Sequence, residues 1–257
     1  MNSSEFWIAF RTIVTKEIRR YSRIWVQTLI PPVITMTLYF VIFGNLIGRR
    51  IGEMDGFDYM AYIVPGLIMM AVITNSYSNV VSSFYSSKFQ NYIQEILVSP
   101  MPNVLILLGF VLGGVSRGLL IGFIVTMVSM LFTDLHIQHP LVMISIVFLT
   151  SVVFSLGGLI NAIFAKSFDD ISIIPTFVLV PLTYLGGVFY SINLLPEFWR
   201  NLSMANPILY MVNAFRYGIL GASDIDIQVA FVILLGLIVV LFLFSLHLLK
   251  TSTGLRS

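Results

Sequence analysis

The sequence predicts an all-α membrane protein with six transmembrane helices, and three observations carry that prediction. The chain is 58% hydrophobic and only 10% charged, with mean hydropathy +0.95, whereas a soluble domain is roughly 25% charged. Six apolar segments are each long enough to cross a bilayer, which takes about 20 residues. Charged residues gather between those segments, with Arg117 the one exception near mid-span. A single membrane domain over residues 1–257 is expected. The absence of cysteine excludes disulfides and thiol chemistry, and a net charge of +2 makes no case for a nucleic-acid partner. The basic N-terminal stretch runs into a span of about 24 residues, too long for the apolar region of a cleavable signal peptide.

Residues 4–23 place Phe6, Trp7, Phe10, Ile13, Val14, Ile18 and Tyr21 on one helical arc. Lys16, Arg19, Arg20 and Arg23 fall opposite. That is the pattern of an amphipathic helix lying in the membrane interface. Glu17 interrupts the apolar arc and is expected to snorkel or to pair with Arg20 or Tyr21; the alternative is that this face meets protein and not only lipid. The spans follow at 24–47, 59–84, 103–132, 140–165, 171–190 and 227–249. Pro31-Pro32, Pro65, Pro175 and Pro181 should kink their helices, which neighbouring helices make tolerable within a membrane. Pro140 suits the first turn of the fourth span.

Between the second and third spans, residues 88–99 repeat Phe89, Ile93, Ile96 and Leu97 at helical spacing and carry Glu95, before Pro100 and Pro102 stop the pattern. This reads as a short amphipathic helix, too short to span. Residues 191–221 are too apolar for an ordinary loop, yet neither half is long enough to cross. Asn206-Pro207 reads as an N-cap and first-turn pair that starts a second short helix. The two pieces make a hairpin dipping into the outer leaflet, with Trp199, Tyr210 and Tyr217 suited to the interface. Glu197, Arg200 and Arg216 are expected to pair with one another or face water.

Lys and Arg set the orientation. With both termini on one side, that side holds nine (Arg11, Lys16, Arg19, Arg20, Arg23, Lys88, Lys166, Lys250, Arg256) against four (Arg49, Arg50, Arg200, Arg216) on the other. Both termini are therefore expected in the cytoplasm, and the 191–221 hairpin outside.

Few residues offer chemistry. Gly114-Val115-Ser116-Arg117-Gly118 matches G-x-S-x-G, but that motif needs a strand–turn–helix elbow and here falls inside a membrane helix. Small residues for close helix packing explain it better. Arg117 costs about 3 kcal/mol to place at mid-membrane, and no acidic residue lies at its depth. Asn75, Asn161, carbonyls freed by the prolines, or a substrate anion are its available partners, and it is either an anchor or a translocation-path residue. Asp169-Asp170 reads as acids at a helix N-terminus. His136 and His139 have only Asp134 near them, a thin ligand set for a metal. No G-x-x-x-x-G-K-[ST] occurs, so the sequence has no P-loop of its own.

A membrane domain without an engine resembles the permease subunit of the ABC-2 family of ABC transporters, a type V exporter-like fold. The resemblance runs over essentially the whole chain: RIWVQTLIPPVITMTLYFVIFGNLIG from Arg23, YIVPGLIMMAVITNSY from Tyr62, EILVSP from Glu95, KSFDDISIIPTFVLVPLTYLGGVFY from Lys166 and NPILYMVNAFRYG from Asn206. It implies a half-transporter of the bacterial inner membrane that pairs with a second copy of itself. Each copy would dock a separate cytoplasmic ABC ATPase, two in all, which would bind the ATP and Mg; this chain itself would carry no cofactor and be no enzyme. By analogy, Glu95, Ile96 and Leu97 would lie on the coupling helix. The N-terminal helix with Glu17 and Arg20 would also meet the ATPase. Glu197, Arg200, Asn206, Pro207 and Arg216 would belong to an external re-entrant gate. Arg117, Asn75 and Asn161 remain the intramembrane polar residues. Members of the family export glycans, lipid-linked molecules or hydrophobic drugs. The competing reading is an ion-coupled secondary transporter, which would want an acidic residue or broken-helix pair within a span.

Overall fold

The computed structural model describes residues 3–251; Arg256, one of the charges that sets the expected orientation, lies outside them. Helix α1 is Ser3–Arg23. The first span, Trp25–Ile51, is α2 (Trp25–Tyr39), a π-helical stretch Phe40–Ile47 and a last turn α3 (Gly48–Ile51). Pro31 and Pro32 sit inside α2, so the carbonyls of Gln27 and Thr28 have no amide donor one turn on. A two-residue hairpin follows, β1 Glu53–Met54 paired with β2 Phe57–Asp58. Its turn, Asp55-Gly56, takes positive φ at both residues, the primed geometry that Asp-Gly favours between strands.

Helix α4 (Tyr59–Phe89) is the axis of the molecule. Its 31 residues extend about 46 Å, and it packs against α6 (Asn103–Ser129), α7 (Pro140–Phe164) and α11 (Pro207–Leu220). At its start Asp58 caps the Met60 amide at 3.0 Å. At its end Asn91 adopts the left-handed conformation (φ 63°), which Asn tolerates better than most residues. That turn delivers the chain to α5 (Tyr92–Val98). Helices α8 (Asp170–Ile174) and α9 (Val180–Leu185) continue through a π-helical turn at Pro175–Leu179. A 3-10 turn at Ile192–Leu194 leads to α10 (Glu197–Met204) and α11, and α12 (Ile227–Thr251) lies against α7 and α11.

The fold is thus all-α apart from that hairpin, with five helices long and apolar enough to cross a membrane among the described residues. Several expected boundaries shift: the first span runs on to Ile51 rather than 47, and the second to Phe89 rather than 84. The third span ends at Ser129 rather than 132. The short helix begins at Tyr92, because Lys88 and Phe89 still belong to the last turn of α4. The fifth expected span, 171–190, is helical only to Leu185. From Asp170 that is sixteen residues, about 24 Å against a hydrocarbon core of about 30 Å. Pro175 and Pro181 remove helical donors along it, and Gly187 at φ 70° turns the chain away.

Small residues let the central helices touch. A Cβ on Gly114 or Gly118 of α6 would collide with Ser155 of α7 and with Ser76 of α4, respectively. The G-x-S-x-G match is therefore a helix-packing seam, the usual use of small residues between membrane helices. Ser116 lies within it, donating to the Gly113 carbonyl at 2.9 Å. The Asp169-Asp170 pair is likewise structural. Asp170 and Ser167 form a reciprocal cap: the Asp170 amide donates to Ser167 Oγ, and Asp170 Oδ2 accepts from the Ser167 amide, both at 3.1 Å.

Candidate functional site

Four polar assemblies stand out, one at each end of α4 and two along its length. The first sits where α1 meets the bundle. Ile13 and Glu17, one helical turn apart, lie on Gly109 and Gly113 of α6, also one turn apart; a Cβ on Gly113 would stand 2.6 Å from that of Glu17. Glu17 is fully buried. Its carboxylate accepts from Ser83 Oγ at 2.8 Å and faces Arg20 Nε at 3.5 Å. Arg20 Nη2 donates to both the backbone and side-chain oxygens of Asn79, at 2.9 and 2.8 Å. Tyr21 donates to Ser116 Oγ at 3.2 Å.

These contacts correct the sequence expectation for α1. The helix is not simply interfacial, and Glu17 does not snorkel. The arc bearing Ile13, Glu17 and Tyr21 meets protein, while Phe6, Trp7 and Ile18 stay exposed. Glu17 interrupts an apolar arc because that arc faces Ser83 and a glycine groove. The pairing with Arg20 is present.

The second assembly centres on Arg117. It sits mid-way along α6, and its Nη2 donates to Asn75 Oδ1 at 3.0 Å; Asn75 lies near the midpoint of α4. Asn75 and Asn79 are one turn apart, so α4 presents Arg117 and Arg20 with successive asparagines. Arg117 has no carboxylate partner: Glu17–Arg20 is the one ion pair among the described residues. The guanidinium borders a pocket of ≈ 300 Å³ between α2, α4 and α6. Asn161 is not part of this group. Its side chain donates to the Ile171 carbonyl at 3.3 Å, tying α7 to α8.

At the C-terminal end of α4, helix α5 is anchored by buried Ile93, with Ile96 and Leu97 half-buried and Glu95 exposed. Lys88, which the sequence pattern left in the inner loop, instead ties α4 to the end of α7. Its Nζ donates to the carbonyls of Ile163 and Ala165 at 2.6 and 2.8 Å, as cations do at helix C-termini. Tyr85 and Phe89 of α4 pack on Phe168 beside it.

At the other end of α4 lies the 191–221 segment. Asn206 caps α11 by accepting from the Ile208 amide at 3.0 Å, with Pro207 in the first turn. Glu197 and Arg200 on α10 are exposed. Arg216 is not with them, which corrects the expected pairing. It is buried and donates to the carbonyls of Tyr62 (3.3 Å) and Gly187 (2.7 Å) and to Asn213 Oδ1 (3.2 Å), with its guanidinium 4.0 Å over the Tyr62 ring. Asp224, not singled out in the sequence, accepts from Ser191 Oγ at 3.2 Å and from the Ile192 amide at 3.3 Å. His139 stacks on Tyr217 at 4.5 Å, and among the described residues no group of three His, Asp or Glu could hold a metal.

Comparison with known proteins agrees in family along most of the chain. The ABC-2 type transporter family matches residues 8–220. The chain is 56% identical over 252 residues to "Inner membrane transport permease YadH" of Escherichia coli strain K12, covering 98% of each chain. It is 23% identical over 214 residues to "Nodulation protein J" of Rhizobium leguminosarum bv. viciae, covering 83% of each. The counterpart in Rhizobium meliloti is 21% identical over 191 residues, covering 74% of this chain and 73% of that one.

Proposed function

The chain belongs to the ABC-2 type transporter family, and we propose on that footing that it is the permease subunit of an ATP-driven exporter of the bacterial inner membrane. Two copies form the translocation pathway, and each docks a separate cytoplasmic ATPase that holds ATP and Mg. The observation that carries this reading is α5. It is a short helix joined to the end of the central α4, anchored by Ile93, with Glu95 free to meet a partner. The outer hairpin grips the opposite end of α4 through Tyr62. Tyr62 and Phe89 stand about 40 Å apart along one helix, so a push on α5 reaches the hairpin through a single rigid element.

In this reading Glu95, Ile96 and Leu97 receive the ATPase, and Glu17 and Arg20 brace α1 as a second contact. Glu197, Arg200, Asn206, Pro207 and Arg216 belong to the exit gate. Both termini are cytoplasmic, and the cargo is a glycan, a lipid-linked molecule or a hydrophobic drug. Isolation of the tagged chain from its native membrane tests the assembly. A detergent-purified complex with two copies of this chain and two of a Walker-motif ATPase is the expected composition. A single copy, or transport by the purified chain driven by an ion gradient alone, would contradict it.

A further inference from the structure

We infer that the Arg117 pocket binds the anionic headgroup of an amphiphile, the phosphate or carboxylate of a molecule whose tail remains in the membrane. The inference rests on the transporter reading for its place in a pathway, but its chemistry stands on the pocket alone.

The pocket lies between three helices and holds ≈ 300 Å³, room for a headgroup rather than one water, whose share of liquid volume is ≈ 30 Å³. Its polar lining is rich in donors. Gln27 and Thr35 come from α2, Thr74, Asn75 and Ser78 from α4, and Arg117 from α6. Asn75 has both ends of its amide engaged, accepting from Arg117 and donating to the Ala71 carbonyl at 3.0 Å. Arg117 is under-engaged. Among the described residues one Nη2 bond is the whole of its side-chain hydrogen bonding, and its Nε is buried without a partner there. A guanidinium presents five N–H donors in a fixed fork that matches carboxylate and phosphate oxygens.

Charge points the same way. Glu17 is committed to Arg20, and the bordering spans contribute no other carboxylate within ion-pair distance of Arg117 among the described residues. An intramembrane cation by default faces protein or a water-filled cavity and marks a path for ligands. The third feature is the wall beside the pocket. Gln27, Pro31 and Thr35 line it at one-turn spacing, and the neighbouring strip of α2, Ile30, Ile34 and Leu38, is exposed. A ligand with an anionic head in the pocket therefore finds an apolar track for its tail along the same helix.

The test uses dioctanoyl phosphatidic acid, dioctanoylglycerol and inorganic phosphate as probes, titrated onto the detergent-purified full-length complex without nucleotide. The wild-type protein should bind the phosphatidic acid at least tenfold more tightly than the uncharged glycerolipid. Arg117→Gln should lose that tenfold preference, and Arg117→Lys should keep most of it. Thr35→Phe, which fills the pocket from α2 and leaves Arg117 in place, should lose binding as well, so the outcome does not depend on one variant assembling. Competition by millimolar phosphate would identify a site for anions in general, and its absence a site that needs the tail; either result supports an anion pocket. Equal binding of the charged and uncharged lipids by the wild type, or an unchanged preference in both Arg117→Gln and Thr35→Phe, would overturn it. The readout is binding at rest, so failure here leaves the ATP-driven reading standing, and loss of that reading leaves the binding result intact.

Discussion

At the scale of single residues, the two buried arginines have different tasks because they have different company. Arg216 is saturated: three acceptors and the Tyr62 ring surround it. Its loss would strand the Gly187 and Tyr62 carbonyls, and each buried unpaired group costs about 1–3 kcal/mol. Arg216→Met should lower the unfolding midpoint of the purified protein by roughly 4–24 °C, taking about 2–6 kcal/mol for the two groups and about 2–4 °C per kcal/mol for a chain of this size. Arg216→Lys should recover little, since an ammonium lacks the planar fork that reaches three acceptors at once. A thermal melt in detergent reads this directly, and a wild-type midpoint in Arg216→Met would remove Arg216 from its structural role. The sequence marked Arg216 as notable but assigned it surface partners. Its burial depends on the turn at Gly187 and on Tyr62, 29 and 154 residues away in the chain, and no local pattern encodes contacts of that range.

At the scale of elements, α1 shows how a sequence pattern can be right in form and wrong in meaning. The amphipathic helix was legible, as were α11 with its Asn206-Pro207 start and α7 with Pro140. Hydrophobic periodicity and capping chemistry are local and survive any tertiary context. What α1 packs against was not legible, because a lipid and a glycine groove both accept an apolar arc. Glu17 was the signal, an acid inside that arc. If α1 is held on α6 by Gly109 and Gly113, then Gly113→Val should lift it, since the added Cβ falls 2.6 Å from that of Glu17. Trypsin should then cleave near Arg19, Arg20 and Arg23 at least about tenfold faster than in wild type, as local opening exposes the chain. Cleavage at the wild-type rate would show that α1 needs no such groove. The fifth segment teaches the converse. Its composition promised a full span, but Pro175, Pro181 and Gly187 together shorten the helix to sixteen residues, and hydropathy alone is blind to where a helix stops.

At the scale of the whole molecule, α4 joins every assembly described: Lys88 and α5 at one end, Asn79 and Asn75 along its length, and Tyr62 against Arg216 of α11 at the other. The long spans and the missing nucleotide motif were legible from composition and motif alone. The linkage of the ends through one buried helix was not, because α4 reads in sequence as another apolar span. If the permease is worked by a separate ATPase through α5, hydrolysis must depend on this chain and on Glu95. The most direct measurement is ATP turnover in proteoliposomes holding the ATPase subunit with no permease, with the wild-type chain, or with Glu95→Arg. Turnover should rise at least about tenfold with the wild-type chain, a 1.4 kcal/mol effect, and fall back towards the permease-free rate in Glu95→Arg at equal complex yield. Identical turnover in all three preparations would contradict the account.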